Sequence, residues 1–334
     1  MMNLKERFRV WTIDRDDGGS VRRHMAQVTE DDLPPGEILV KVDFSSLNYK
    51  DALAAMGHPG IVRHYPHVPG IDAAGVVVAS GSTAVPEGCS VLITGFGLGT
   101  TVWGGFAEYV RVPPDWALPL PDNMTPKESM SLGTAGLTAA LCVDALIKSG
   151  VTPESGEILV SGATGGVGSL SVTILAKLGY QVAALTRKAN LCSYLEMIGV
   201  SRIISHEHLA VESQRSLGKE EWAGAIDTLG GNALANILKH VRYGGTVASC
   251  GMASGTDLAT TVFPFILRGV GLQGVDSVQC PLPKRRVLWQ KLAEDWRVPC
   301  LQSITQLVDL DDVGSAIDSL LAGDRVGRTV VAVG

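Results

Sequence analysis

From Glu157 to Val275 short apolar runs alternate with stretches of helical pattern, and this alternation constrains the fold more than any other feature of the chain. The runs are Glu157–Ser161, Gln181–Thr186, Ser201–Ser205, Gly224–Thr228, Thr246–Cys250 and Val270–Val275; Gly166–Leu178, Ala189–Ile198 and Ala233–His240 between them read as helices. A strand that must lie parallel to its predecessor needs a crossover, usually helical, so the pattern predicts a parallel sheet with helices on its faces. Such strands are buried on both sides and should be continuous apolar runs rather than alternating ones, as these are. The predicted fold class is α/β, a doubly wound parallel sheet.

The chain up to Asp122 has a different texture. Phe8–Ile13, Glu37–Phe44, Gly75–Ala79, Ser90–Thr94 and Phe106–Val112 are rich in β-branched or aromatic residues, and Pro34-Pro35-Gly36, Val85-Pro86-Glu87-Gly88 and Val112-Pro113-Pro114 supply turns between them. Short strands broken by frequent turns predict an irregular antiparallel or barrel-like β domain. Thr125-Pro126-Lys127-Glu128 has the form of a capped helix start, with apolar and small residues following to Lys148. Near the end, Lys284–Trp296 and Asp311–Ala322 read as helices and Arg328–Val333 as a closing strand. These boundaries predict a β-rich domain over 1–124, a nucleotide-type α/β domain over 125–276, and a return to the first domain over 277–334. A length of 334 residues suits two domains.

Composition narrows the class of partner. With 46% hydrophobic and 19% charged residues the chain has enough apolar surface to offset the entropy of ordering. A formal charge of −6 argues against a nucleic-acid or anionic-membrane surface as the main partner. The six cysteines are dispersed, with no C-x-x-C and no Cys/His cluster of zinc type, which points to reduced thiols in a cytoplasmic protein. Met1–Val10 carries Lys5, Glu6, Arg7 and Arg9 and lacks the apolar core of a signal peptide. The most apolar stretches, such as Ala73–Ala79, are shorter than the ~20 residues that span a bilayer, so no membrane segment is expected.

Ser161-Gly162-Ala163-Thr164-Gly165-Gly166-Val167-Gly168 follows a predicted strand and opens a predicted helix. That is the context of a dinucleotide site. Glycines let a pyrophosphate approach the backbone, and the helix N-terminus offers N–H groups and positive dipole character to it. The spacing is G-x-x-G-x-x-G, so a tight ligand-free turn stays an alternative. Thr164, Gly165, Gly166 and Val167 are the expected contacts. A site that selects NAD usually carries Asp or Glu at the end of the next strand, for the ribose 2′-hydroxyl. Here that strand ends Ala184-Leu185-Thr186-Arg187-Lys188, with a hydroxyl and two cations. A 2′-phosphate suits the planar fork of Arg187 and the point charge of Lys188, with Thr186 beside them, so NADPH is the expected cofactor; two solvated loop cations are the alternative. Gly251 and Val275, each just after a strand, are expected at the ligand-binding edge of the sheet.

Asn48-Tyr49-Lys50-Asp51, Pro69-Gly70-Ile71-Asp72-Ala73-Ala74-Gly75, Trp103-Gly104-Gly105-Phe106-Ala107-Glu108-Tyr109 and the glycine turn occur in the order seen in medium-chain dehydrogenases/reductases. Together with Trp222–Thr228, Pro264–Arg268 and Leu272–Ser277, they give the chain its resemblance to the zinc-free, quinone oxidoreductase-like branch of that superfamily, nearest the YhdH/AcuI group of acrylyl-CoA reductases. The resemblance implies a GroES-like catalytic domain split around a Rossmann domain, with the cofactor in the cleft between them. Zinc members have Gly-His-Glu where this chain has Gly70-Ile71-Asp72, and the first cysteine is Cys89, so no metal is expected. His58, His64 and His67 fit a loop around Tyr65-Pro66 rather than a ligand set.

The resemblance implies reduction of an activated C=C bond: hydride to the β-carbon of a 2-enoyl thioester, charge on the thioester oxygen, and a proton to the α-carbon. Tyr49 is the first candidate for the cofactor contact and the proton or enolate role, the alternative being a half-buried aromatic. Asn48 is the candidate donor to a carbonyl. Arg63, in a Pro/Gly-bounded loop, is expected to bind the CoA portion, or else to be a solvated loop residue. Asp51 is read as a helix cap and Asp72 as a buried structural acceptor for neighbouring backbone N–H groups, while Arg328 is carried over as a cofactor contact. Other readings are an NADPH:quinone or alkenal oxidoreductase and, in another class, an NADPH-binding sensor. A homodimer is expected, strand Val270–Val275 pairing with its twin at the sheet edge.

Overall fold

The computed structural model describes residues 7–188, 190–205, 207, 209 and 215–334. The first residue of the predicted helix Ala189–Ile198, with Lys5 and Glu6 of the amino-terminal segment, lies outside them. The chain divides into two compact units, one running to Thr134 and taking in Val278–Ala293 and Leu301–Gly334, the other comprising Ala135–Ser277 and Glu294–Cys300. The crossing into the second unit falls inside a helix rather than before it.

The first unit is built on a mixed sheet. Its central strand Ile38–Leu47 pairs antiparallel with Asp72–Ser80 on one side and with the carboxyl-terminal strand Arg328–Ala332 on the other. Ser90–Thr94 and Ala117–Pro119 extend one edge, Thr305–Asp309 the other, and Tyr109–Val112 pairs with Ile38–Lys41. A separate hairpin-like pair, Phe8–Arg15 with Val21–Val28, packs Phe8, Val10, Trp11 and Ile13 into the same apolar core as Ile38, Val40, Val42, Phe106 and Val331. Each fully buried side chain of this size contributes about 1.5–3 kcal/mol. Val21–Val28 and Thr305–Asp309 are strands that periodicity missed. Both are largely exposed, so their sequences carry Arg22, Arg23, His24 or Gln306 where a buried strand would carry apolar residues.

The second unit holds six parallel strands. In spatial order they are Arg202–Ile204, Val182–Leu185, Ile158–Ser161, Trp222–Asp227, Val241–Ser249 and Gly271–Gly274. Numbered from the first strand of the unit this is 3-2-1-4-5-6, the doubly wound order, and the direction of winding reverses between Ile158–Ser161 and Trp222–Asp227. Ile158–Ser161, Val182–Leu185 and Trp222–Asp227 are buried throughout, as their apolar runs require, and Val241–Ser249 is buried from Gly245 to Ala248. Gly271–Gly274 departs from that expectation: it is the sheet edge, and Leu272, Gln273 and Gly274 are exposed.

Helix Pro126–Lys148 begins as predicted, Thr125 Oγ1 accepting from Glu128 N and Glu128 Oε2 from Thr125 N. At 23 residues it is long and apolar enough to cross a membrane, contrary to the reading of short apolar stretches only, but most of it is buried within the protein. It is not one continuous helix. Gly133 sits at φ 54°, ψ −154° and breaks it, and that break positions the site.

Candidate functional site

The apolar strand Ile38–Leu47 ends in the polar pair Ser45-Ser46, and Asn48 then caps the short helix Tyr49–Ala55. Asp51 is fully buried. Its Oδ2 accepts from Asn48 N at 2.7 Å, which is the capping contact expected of it, and its Oδ1 accepts from Gly70 N and Ile71 N at 3.1 and 2.8 Å. The helix start is thereby tied to Gly70-Ile71-Asp72.

Asp72 is the centre of a buried polar network. Its Oδ2 accepts from Ser46 Oγ at 2.6 Å, Asn48 Nδ2 at 2.8 Å and Thr134 N at 2.9 Å, while Oδ1 accepts from Thr134 Oγ1 at 2.6 Å. Three of the four donors are side chains, where the sequence reading had backbone N–H groups. The break at Gly133 makes this possible, because it frees Thr134 N from the helix ladder; a Cβ at Gly133 would lie 2.4 Å from Asp72 Oδ2 and 3.0 Å from Arg328 Nη2. Arg328 closes the network from the last strand. It donates from Nη2 to Ser46 Oγ at 2.9 Å, from Nη1 to Asn48 Oδ1 at 3.2 Å and from Nε to Ser131 O at 3.0 Å.

Two of the expected site residues are members of this network. Arg328, read as a cofactor contact, is 3% exposed with its fork turned onto Ser46, Asn48 and Ser131, so it is assigned to the network. Asn48, read as a donor to substrate, donates one amide N–H to Asp72 and accepts at Oδ1 from Arg328, which fixes the orientation of its side chain. Tyr49, the residue after this cap, is 54% exposed. Arg63 and His64 are exposed loop residues, whereas His67 is buried and donates from Nε2 to Gly99 O.

Burial, then the neighbouring charge of Asp72, raise the carboxyl of Asp51 to about 7, against the pull of its three N–H donors. Because the folded form holds this proton more tightly than the unfolded form, Asp51 takes stability away as pH rises from about 4 through about 7. Burial lowers the Arg328 guanidinium and the two carboxylates raise it. Among the described residues no group of three His, Cys, Asp or Glu side chains stands close enough to hold a metal ion.

In the second unit, Gly165 caps helix Gly166–Lys177, and the N–H groups of Gly166, Val167 and Gly168 fall in its first turn, where no intrahelical acceptor exists. Gly168 is required for close approach: a Cβ there would lie 2.2 Å from Gly162 O. Thr164 is buried beside them. A second tie reaches the turn from helix Cys192–Met197, where Tyr194 Oη donates to Ser169 Oγ at 2.8 Å and Ser169 Oγ to Ala163 O at 3.1 Å. Burial pushes the Tyr194 hydroxyl up to about 12, so it acts there as a neutral donor.

At the end of Val182–Leu185, Thr186 is buried and its Oγ1 accepts from Lys188 N at 3.0 Å, shaping the bend that leaves Arg187 exposed. Gly251 follows strand Val241–Ser249 at the carboxyl edge. Val275 N donates to Ser249 O at 2.9 Å, so any ligand contact from Val275 comes from its carbonyl, not its N–H. The network partners Ser46, Gly133 and Thr134 were missed in the sequence. The only signals were a Ser-Ser pair ending an apolar strand and a glycine inside an apolar helix.

A 3-2-1-4-5-6 sheet with a glycine turn at its first crossover, joined in one chain to a mixed-sheet unit, defines the class of pyridine-nucleotide dehydrogenases with two domains. The comparisons agree: residues 34–122 match the alcohol dehydrogenase GroES-like domain and residues 166–293 the family described as zinc-binding dehydrogenase. Acrylyl-CoA reductase AcuI of Ruegeria pomeroyi is 41% identical over 327 residues, covering 98% of this chain and 99% of that protein. The Bacillus subtilis protein named "Putative quinone oxidoreductase YhfP" is 43% identical over 309 residues, 92% and 94% of the two chains, and its structure with NAD bound superimposes with a TM-score of 0.95. The YhdH oxidoreductase of Salmonella enterica in complex with NADP also gives 0.95, at 44% identity over 98% of this chain and all of that one. The chain belongs to the medium-chain dehydrogenase/reductase superfamily, in the group that holds YhdH, AcuI and YhfP.

Proposed function

We propose that the chain is an NADPH-dependent oxidoreductase that reduces the C=C bond of a 2-enoyl thioester, acrylyl-CoA to propanoyl-CoA. The observation that carries this reading is the near-full-length likeness to acrylyl-CoA reductase AcuI. The residues present fit the cofactor. The first-turn N–H groups at Gly166 and Val167, with Thr164 and Gly165, suit a pyrophosphate, and a strand end without a carboxylate suits a 2′-phosphate beside Arg187 and Lys188. When bound, NADPH supplies the hydride to the β-carbon. The chain has to orient the thioester, stabilise the enolate oxygen and deliver a proton to the α-carbon. Tyr49 is the exposed hydroxyl for the last two tasks, on a helix start whose position Asn48 and Asp51 fix. Arg63 binds the CoA portion.

Rates with acrylyl-CoA, small quinones and crotonaldehyde test the reading. A kcat/KM for the thioester at least about tenfold above the others is expected, a difference of about 1.4 kcal/mol. A quinone turned over faster moves the chain to the quinone or alkenal reductase reading that the name of YhfP favours. Tyr49→Phe is expected to lower kcat about 100-fold, within the range of a lost general acid, with KM for NADPH within about twofold. An unchanged kcat removes Tyr49 from the reaction.

The working form is proposed to be a cytoplasmic homodimer. Among the described residues edge strand Gly271–Gly274 has no outer partner in its sheet, and Leu272, with Phe263, Ile266 and Leu267 of the adjoining helix Phe263–Arg268, is exposed. Pairing with its twin covers both the strand edge and the apolar residues. Sedimentation is expected to give twice the 35.2 kDa of the chain, and Leu272→Arg to give the monomer; a wild type that stays monomeric at all concentrations discards the pairing.

A further inference from the structure

The winding of the parallel sheet reverses between Ile158–Ser161 and Trp222–Asp227, and the last residues of those two strands meet. Asp227 is fully buried and its carboxylate accepts four hydrogen bonds. Its Oδ1 takes Ser161 Oγ at 2.8 Å and Leu229 N at 3.2 Å; its Oδ2 takes Gly230 N at 2.9 Å and Ser249 Oγ at 3.3 Å. Ser161 is in turn locked on both sides. Its Oγ accepts from Thr228 N at 2.9 Å and its carbonyl from Thr228 Oγ1 at 2.9 Å. Three adjacent strand ends, Ser161, Asp227 and Ser249, are thus gathered on one carboxylate, and Ser161 is the residue from which the glycine turn springs.

We propose that Asp227 is a positioning residue for the dinucleotide: acting through Ser161, it holds Gly162–Gly168 in the shape that presents its N–H groups to the pyrophosphate. The inference rests on the NADPH reading above. A carboxylate is the group this place needs, because all four neighbours donate. The amide of an asparagine has one accepting oxygen, and in either orientation its NH2 would face a backbone N–H, that of Leu229 or that of Gly230, donor against donor. A buried donor left without its acceptor moves to find another, and the donor here is attached to the residue before Gly162. Removing the tie therefore lets the turn relax and leaves the adenosine end, held on Arg187 and Lys188, untouched.

The test compares two ligands on the full-length chain: NADPH, which bridges the glycine turn, and 2′-AMP, which carries the 2′-phosphate without a pyrophosphate. Ser161→Ala is expected to weaken NADPH about tenfold, and Asp227→Asn at least as much, while 2′-AMP stays within about twofold for both. The double variant is expected to be no weaker than Asp227→Asn alone, since the two residues act in series. Ser161→Thr, which keeps the hydroxyl, is expected to recover most of the NADPH affinity lost in Ser161→Ala. Equal loss of NADPH and 2′-AMP would show a general collapse of the unit and overturn the proposal, as would NADPH affinity unchanged in Ser161→Ala. The Ser161 variants decide the matter if Asp227→Asn does not fold. A wild type that binds neither ligand overturns the cofactor reading and this inference with it; a wild type that binds both, with variants that bind equally well, overturns the inference alone.

Discussion

Asp72→Ala is expected to lower the unfolding free energy by about 4 kcal/mol, the scale for removing one partner of a buried charge pair. The substitution leaves Ser46 Oγ, Asn48 Nδ2, Thr134 N and Thr134 Oγ1 without the acceptor that gathers them, and it leaves the buried guanidinium of Arg328 without its central counter-charge. In thermal unfolding this is a drop of about 10 °C for a domain of this size. Activity should fall further than stability alone explains, by about 100-fold in kcat/KM, because Asn48 loses the contact that sets the start of helix Tyr49–Ala55 and with it Tyr49. The pH dependence carries a second signature. Asp72 is one of the causes that raise Asp51 to about 7, so in the variant Asp51 releases its proton at lower pH and the loss of stability with rising pH is shallower. The gap between wild type and variant is accordingly expected to be wider at pH 5 than at pH 8. A variant that melts within 2 °C of wild type, or a gap that widens with pH, would show that Asp72 does not anchor the network.

The sequence made the parallel sheet legible because its strands are buried on both faces, and burial on both faces writes itself as uninterrupted apolar runs. Ile158–Ser161, Val182–Leu185 and Trp222–Asp227 lie where their runs placed them. The glycine turn was legible for a related reason: Gly168 stands where a backbone oxygen leaves no room for a Cβ, so its type is dictated locally. What could not be read is the arrangement that depends on distant parts of the chain. Arg328 is carried over by resemblance as a cofactor contact, and only the pairing of Arg328–Ala332 with Ile38–Leu47 brings it onto Ser46 and Asn48. Gly133 reads as a tolerated glycine in an apolar helix; its left-handed backbone is explained by Asp72, 61 residues earlier in the sequence. The exposed strands Val21–Val28 and Thr305–Asp309 were silent because a strand with little to bury leaves little periodicity to detect. The candidate site was thus legible in its residues and not in their partners.

Arg187→Ala is expected to raise KM for NADPH about 30-fold and to leave KM for NADH within about twofold. The range follows from the loss of a charge-assisted bidentate contact, about 1.5–3 kcal/mol, or roughly tenfold to a hundredfold in affinity. Arg187 is exposed at the bend after Val182–Leu185, and the bend does not depend on its side chain, since Thr186 Oγ1 holds it by accepting from Lys188 N. Truncating Arg187 therefore removes a contact without moving the strand end, which is why the effect should be confined to the cofactor that carries the extra phosphate. Lys188→Ala is expected to cost less, about threefold to fivefold, because an ammonium acts as a point charge where the guanidinium acts as a fork. The preference for NADPH over NADH should also shrink as KCl is raised from 20 to about 500 mM, since an exposed phosphate–cation contact is screened over a Debye length that falls to a few ångströms. Placing a carboxylate at the same position, Arg187→Asp, goes beyond removal: it repels the 2′-phosphate and offers the ribose 2′-hydroxyl an acceptor, so the preference should invert toward NADH. If Arg187→Ala weakens both cofactors equally, the residue supports the fold of the bend and does not read the phosphate. If neither is affected, the 2′-phosphate is held elsewhere and the assignment of Arg187 is wrong.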